Sequence, residues 1–375
     1  MIVIADDITG AAEMAGIAHS HGLHVRLVCG GCPVGCDSVA ASEVVVMATD
    51  TRSMSEAEAA AETGRMASRL PSSTLLFKKT DSALRGHVVA ELVALMEATG
   101  LRRAVYLPAN PSKGRIVRDG VYYIKTVNGQ EQAVREVPLH QTDFSFDPEF
   151  PARTSVLRER FPDAEAHHII MPDAETPDNI RRTVALYDDG STLFAGAADL
   201  FEAVLGAAHE GKSITQHPSP NTQYPSPITQ HPTPNTLILC GSTQSRALDL
   251  GIPTAPMPAS IYDGDSDLAL WDTADYDLRG SLILTIPHTH RTGKTVAVHL
   301  RSVMAAMAKK LVDRRRPDHL VIEGGATAWA VLNALGWTRF TIERQVAPGV
   351  VQMRADCGTL VTLKPGSYPW GGLFH

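Results

Sequence analysis

At 375 residues the chain is long enough for two domains of ordinary size, each with its own core, which excludes a disulfide-stapled miniature. Apolar residues make up 44% and charged residues 20%, the balance of a folded soluble protein and not of a disordered or membrane-embedded one. Lys and Arg total 34 against 41 Asp and Glu, so a net charge of -7 supplies no basic footprint for nucleic acid or an anionic membrane, and any phosphate site must be built locally.

The opening MIVIADD puts Asp6 and Asp7 where a secretory apolar region would have to continue, and no apolar run reaches the roughly 18 residues of a membrane span. Five cysteines are few and odd in number. A cytoplasmic protein is expected. In chain order, IVIAD at 2–6, HVRLVC at 24–29, EVVVMATD at 43–50, TLLFKK at 74–79 and RAVYLPA at 103–109 are short, apolar and rich in β-branched residues, the pattern of strands buried on both faces. Helical patterns at 10–21, 55–69 and 87–99 alternate with them, which predicts a mainly parallel sheet. The stretch 116–150 breaks the alternation and predicts an inserted hairpin with loops; 167–176 and 192–205 resume it.

ITQHPSPNT at 214–222 recurs as ITQHPTPNT at 228–236. Rich in proline and almost free of apolar side chains, this segment reads as an exposed linker, and two such units are too few to stack as a solenoid. His217 and His231 within it are not expected to bind metal. The α/β pattern then restarts with TLILC at 236–240, SLILTIP at 281–287, a helix around 296–315, HLVIEGG at 319–325 and a helix from 327. The C-terminal run predicts a hairpin turning at Asp356, Cys357 and Gly358. The expected architecture is α/β: two domains with mainly parallel sheets, residues 1–212 and 237–375, a linker at 213–236, and an active site in the cleft between them.

Ligands of parallel α/β sheets bind beyond the carboxyl ends of the strands. Those ends carry Asp6 and Asp7; Asp50, Thr51 and Arg52; Lys79, Thr80, Asp81, Ser82 and Arg85; and Asn110, Lys113 and Arg115. A single Asp there is often only a helix cap. Four strand ends mixing acids with cations form a rim suited to a small polyhydroxy acid, cations for its carboxylate and acids and amides for its hydroxyls. The second domain instead offers Gly241-Ser242-Thr243-Gln244-Ser245, Gly324-Gly325-Ala326-Thr327 and Lys364-Pro365-Gly366, turns whose backbone N–H groups can approach an anion and which favour a nucleotide site. Thr292-Gly293-Lys294-Thr295 imitates a P-loop, but His288 stands where its first glycine is required. Cys29, Cys32 and Cys36 lack the fourth ligand of a structural zinc, and His288 and His290 lack a third, so no metal site is expected in the protein itself. A nicotinamide-dependent dehydrogenase suits the pattern but lacks a G-x-G-x-x-G turn after the first strand.

IADDITGAAEMA, TDTRSMS, FKKTDSALRGH, LPANPSKGRI, VPLHQTDFSFDP, LILCGSTQS, IEGGATAWAVLNAL, VAPGV and LKPGS together resemble the four-carbon acid sugar kinase family over nearly the whole chain apart from the repeat and the region 251–280. The resemblance implies a sugar-acid-binding N-terminal domain, a nucleotide-binding C-terminal domain, and ATP-dependent phosphorylation of threonate, erythronate or 3-oxo-tetronate. It places the sugar acid among Asp6, Asp7, Asp81, Ser82 and Arg85, and ATP on Ser242, Gly324, Gly325, Ala326, Thr327 and Gly366. The expected mechanism has Asp7, or second Asp81, accepting the hydroxyl proton, Arg85 with Lys79 or Lys113 holding the carboxylate, Mg2+ bridging the phosphates, and domain closure about the linker. Ala326 departs from the acid usual in the family, and Lys-Pro-Gly-Ser-Tyr from its Lys-Ser-Gly segment, which keeps a sugar-acid-binding or sensing protein on the same fold as the alternative. A homo-oligomer is compatible with this reading.

Overall fold

The computed structural model describes residues 1–31, 43–71, 74–127, 134–147, 149–209, 235–242, 248, 250–287, 293–366, 370 and 373–374, without the side chains of residues 127, 278 and 279. The linker repeat up to residue 234, with His217 and His231, and Cys32 and Cys36, residues 243–245, Thr292, His288 and His290 lie outside them.

The first half opens with β1 (Ile2–Ala5), α1 (Ile8–Ser20), β2 (His24–Cys29), β3 (Glu43–Ala48), α2 (Glu56–Ala67), β4 (Leu76–Lys79), α3 (Val88–Thr99) and β5 (Arg103–Leu107). The strands are continuously apolar because helices cover both faces: Ile2, Val3, Ile4 and Ala5 are all wholly buried. Local signals set the helix ends. Asp7 caps α1 by accepting from the Gly10 N–H, and Ser55 with Glu58 forms a reciprocal capping box on α2. Gly100, in the left-handed region at φ 73°, stops α3. The expected insertion is a separate antiparallel sheet of β6 (Arg115–Arg118), β7 (Val121–Val127) and β8 (Val134–Pro138). The half closes with α4 (Leu157–Arg160), β9 (Ile169–Ile170), α5 (Pro177–Tyr187), β10 (Thr192–Gly196) and α6 (Ala198–His209).

The second half comprises β11 (Thr236–Cys240), β12 (Thr254–Pro256), α7 (Ala259–Tyr262), α8 (Ala274–Arg279), β13 (Leu282–Thr285), α9 (Lys294–Arg314), β14 (His319–Glu323), α10 (Gly325–Leu335), β15 (Arg339–Ala347), β16 (Val350–Ala355) and β17 (Leu360–Lys364). The hairpin expected around Asp356–Gly358 is the antiparallel pair β16 and β17.

The two sheets expected for the two halves are joined into one of 14 strands, in the order β12-β13-β11-β14-β17-β16-β15-β2-β3-β1-β4-β10-β5-β9. The seam is the antiparallel pairing of β2 with β15, where Val28, Leu27 and Arg26 face Arg339, Phe340 and Thr341. Helix α1 lies across it, and Gly16 permits the contact: a Cβ there would come within 2.9 Å of Val351 and 3.2 Å of Gln345. The strands β14 and β17 run opposite to β1 in sheet order, but six steps of right-handed twist separate β14 from β1. At roughly 20–25° a step, the twist turns the carboxyl end of β14 back toward that of β1.

Candidate active site

Strands β3, β1, β4, β10 and β5 are neighbours, so the polar residues after them meet on one rim. Its centre is Arg52, in a short 3-10 turn after β3, with its side chain only 16% exposed. Its Nε and Nη2 donate to Asp6 at 2.8 and 2.9 Å, its Nη1 donates to Asp7 Oδ2 at 3.2 Å, and Nη1 lies 3.5 Å from Asp81 Oδ1. Burial of Asp6 outweighs this guanidinium and leaves its carboxyl above the ordinary range. Burial would raise Asp7 too, but Arg52, Lys79 and hydrogen bonds from Thr9 Oγ1 at 2.6 Å and Gly10 N–H at 2.8 Å carry it below. Asp7 is therefore both a helix cap and a member of the charged rim.

Asp81 is also buried, yet Arg85 and Arg52 hold it well below the usual carboxylate range. Arg85 Nε and Nη2 grip both of its oxygens at 2.9 Å. Ser82 accepts from Arg115 Nη1 at its hydroxyl, 2.6 Å, and at its carbonyl, 2.7 Å. Lys79 donates to the Thr80 carbonyl at 2.8 Å and lies 3.6 Å from Glu13, which also takes the Lys113 ammonium. Asp50 stands at φ 56° without capping the turn that follows it. Burial pushes its carboxyl up to about 6, against Ser53 and the Arg301 charge from α9.

All of Asp6, Asp7, Lys79, Asp81, Ser82, Arg85 and Lys113 thus lie on one connected rim. Sequence reasoning left Glu13 out, and it left out what the insertion adds: Asp147 3.4 Å from Arg85, the Tyr122 hydroxyl donating to the Ser82 carbonyl, and Phe144 with the Arg85 and Arg115 guanidinium carbons 5.9 and 5.8 Å from its ring centroid. A second buried pair, Lys78 and Glu91, sits under the rim and accepts the Thr51 hydroxyl at 2.8 Å on its carboxylate, which fixes the turn that carries Arg52.

Across the cleft, the turns after β11, β14 and β17 pack without room for side chains. A Cβ on Gly241 would overlap Thr327, and one on Gly366 would lie 2.5 Å from the Ser242 hydroxyl. Gly324 sits at φ 96°, which glycine adopts without strain. Helix α10 starts at Gly325 with no acid in its first turn and no side-chain cap, so its first N–H groups and dipole are not met by a carboxylate or a capping side chain; Ala326 is exposed there. The two halves meet at this point. A Cβ on Gly325 would lie 3.0 Å from Thr9 Cγ2 and 3.5 Å from Asp7 Oδ2.

Lys294 opens α9 and lies 3.5 Å from Glu149 on the surface. Cys29 and Cys240 are buried, and burial pushes both thiols up to about 12. A cavity of about 760 Å³ lined by Arg102, Arg103, Arg158 and Phe161 lies at the opposite ends of the strands, remote from the rim.

A family model described as a sugar-binding N-terminal domain matches residues 1–185, and one described as a nucleotide-binding C-terminal domain matches residues 274–368. The chain is 26% identical to a D-threonate kinase of Cupriavidus necator, over 93% of this chain and 89% of the relative. It is 26% identical to a 3-oxo-tetronate kinase of Brucella melitensis over 98% and 92%, and 23% identical to a D-threonate kinase of Salmonella typhimurium over 98% and 93%. A solved Haemophilus influenzae protein shares the fold with a TM-score of 0.67 at 19% identity, covering 100% of this chain and 98% of that one. A Salmonella typhimurium structure does so at 0.69 and 18%, covering 100% and 97%.

Proposed function

The chain belongs to the four-carbon acid sugar kinase family, and on that premise we propose that it transfers the terminal phosphoryl group of ATP to a hydroxyl of threonate, erythronate or a 3-oxo-tetronate. It is a phosphotransferase with a sugar acid as acceptor. The observation that carries the reading is the approach of Gly325 to Asp7 and Thr9, which sets an acidic rim against the uncapped start of a helix. Acceptor and donor sites must adjoin in this way if a phosphoryl group is to pass directly between them.

Asp7 is the preferred proton acceptor because its Oδ2, although it accepts from Thr9 and Arg52, faces Gly325 where the two halves meet. Held ionised by Arg52 and Lys79, it orients the attacking hydroxyl and receives its proton as the new bond forms. Arg85 is the first candidate for the substrate carboxylate, with Lys113 favoured over Lys79 because its side chain is 28% exposed against 5%. Asp6 and Ser82 complete the sugar-acid side. The close-packed turns fit phosphates: Ser242, Gly324, Gly325, Ala326, Thr327 and Gly366 would line the ATP site, with the first N–H groups of α10 and two hydroxyls as donors and Gly324 leaving room for the approach. Mg2+ would neutralise phosphate charge. Among the described residues no three His, Cys, Asp or Glu side chains are grouped to cage a metal, a donor set that suits an ion carried mainly by the phosphates. We place the division between the two tasks at the 213–236 linker.

The test is ADP release from ATP and Mg2+ with a panel of four-carbon acids. Acids that bind without any ADP release would reject the kinase and support a sugar-acid sensor, the reading favoured by Ala326 in place of the family's acid. An uncharged residue in the first turn of α10 is nonetheless compatible with phosphate, since a carboxylate there would repel it.

A further inference from the structure

The Gly241–Ser242, Gly324–Thr327 and Pro365–Gly366 segments follow three different strands, yet one polyphosphate can touch them all only if they keep a common register. A buried ion pair joins the second and third, and its glutamate holds the first through its backbone carbonyl. Glu323 ends β14 and Lys364 ends β17, and the parallel register sets them side by side. Their side chains are 0% and 2% exposed, and the Lys364 ammonium donates to the Glu323 carboxylate. The same ammonium donates to the carbonyls of Pro365 at 3.1 Å and Gly366 at 3.3 Å, with the Trp370 ring centroid 4.8 Å away. An ammonium has three protons, and these acceptors use all of them. The backbone repeats the linkage: Gly324 N–H donates to the Lys364 carbonyl at 2.9 Å, and Gly241 N–H to the Glu323 carbonyl at 3.2 Å.

A lysine between a strand and a glycine turn reads at first as a phosphate ligand. We infer that Lys364 is instead a positioning residue, which with Glu323 locks the three segments into a single cradle. The inference rests on the nucleotide role proposed for those segments.

Titration of the full-length chain with MgATP, paired with KM values for ATP and for D-threonate, separates the two roles. Lys364→Met should weaken MgATP binding by at least about tenfold, or about 1.4 kcal/mol, and leave the threonate KM within about twofold. The charge-free double variant Lys364→Met/Glu323→Leu should then bind MgATP more tightly than Lys364→Met, because it no longer buries a carboxylate that has lost its ammonium beside the cradle. A phosphate-ligand lysine requires the reverse, a double variant no better than the single, and that result overturns the inference. Should Lys364→Met fail to fold, Glu323→Gln carries the test. Positioning predicts MgATP binding weakened by about tenfold, whereas a ligand role predicts unchanged or tighter binding by the freed lysine. Wild-type protein that binds no MgATP would overturn the nucleotide reading and this inference together; wild-type binding matched by every variant would overturn the inference alone.

Discussion

Replacing Arg52 by Met removes the guanidinium that bridges three acids while keeping much of its apolar length. Asp81 retains Arg85 and Asp7 retains Lys79, so the loss falls chiefly on Asp6, both of whose oxygens accept from Arg52. Removing one partner of a buried pair costs about 3–5 kcal/mol, and the surviving cations argue for the lower end, about 3 kcal/mol. Unfolding entropy of about 2.1 cal/mol/K per residue gives about 0.8 kcal/mol/K over 375 residues, so Tm should fall by about 4 °C. The pH dependence has a definite sign. Wild-type Asp7 and Asp81 are held low, so their contribution is present above the unfolded carboxylate pKa near 4 and is lost as pH falls through their folded values. In the variant, burial dominates and raises Asp6 further, which makes a penalty that grows as pH rises. The Tm difference, followed by scanning calorimetry, should be largest at pH 8 and shrink toward pH 5. A difference below about 1 °C at pH 8, or one that widens on acidification, would refute the assignment of Arg52 as the charge centre of the rim.

Asp7→Asn keeps an acceptor for the Gly10 N–H but loses the ionised partner of Arg52 and Lys79, so Tm should fall at pH 8 and recover toward acid pH, while kcat drops by about 100- to 10,000-fold; an unchanged kcat would move the proton-accepting role to Asp81. Gly325→Ala sets a methyl group 3.0 Å from Thr9 Cγ2 at the meeting point of the halves, and the KM for ATP should rise with little loss of stability; an unaltered KM would place the nucleotide elsewhere. Asp50→Asn tests a carboxyl whose pKa burial lifts to about 6. A raised acid favours the fold below its unfolded pKa and loses that support as pH climbs toward 6, so the neutral Asn should stabilise by of the order of 1–2 kcal/mol at pH 8 and by nothing at pH 4. Equal melting temperatures at both pH values would count against it.

The strands of both halves were legible because burial on both faces leaves an unbroken apolar run such as IVIA or LILC, and the rim was legible because parallel strands all point their carboxyl ends the same way. The joining of the two sheets was not, since apolar runs do not encode which strand a neighbour will be. Short elements in 251–280, including β12 and α8, carry too few residues for a period to emerge. Glu13 was missed although a signal existed: it stands in ITGAAEMAGIA among small apolar residues, and a carboxylate on such a helix must find cations, here Lys79 and Lys113. Glu91 in VVAELVALM and Glu323 in HLVIE carry the same signal and find Lys78 and Lys364. Phe144 and Asp147 were hidden because an insertion's fold against the rim is set by contacts distant in sequence.

The seam between β2 and β15 also bears on how the chain can be made. Each is the outermost strand of its own half, six and nine residues long, and β2 is apolar-rich. At the far ends of the sheet β9 is two residues long and β12 ends in Pro256, both devices that discourage further strand addition. β15 is irregular between Ile342 and Ala347 and carries Arg339, Glu343 and Arg344, but the apolar run of β2 has no such device, and β15 covers its free N–H and C=O groups. A first half produced alone would leave HVRLVC open to pairing with its own copies, so it should self-associate. During synthesis the edge of β2 that is not paired with β3 must stay open until Phe340 and Thr341 emerge. The second half thus protects the first against aggregation.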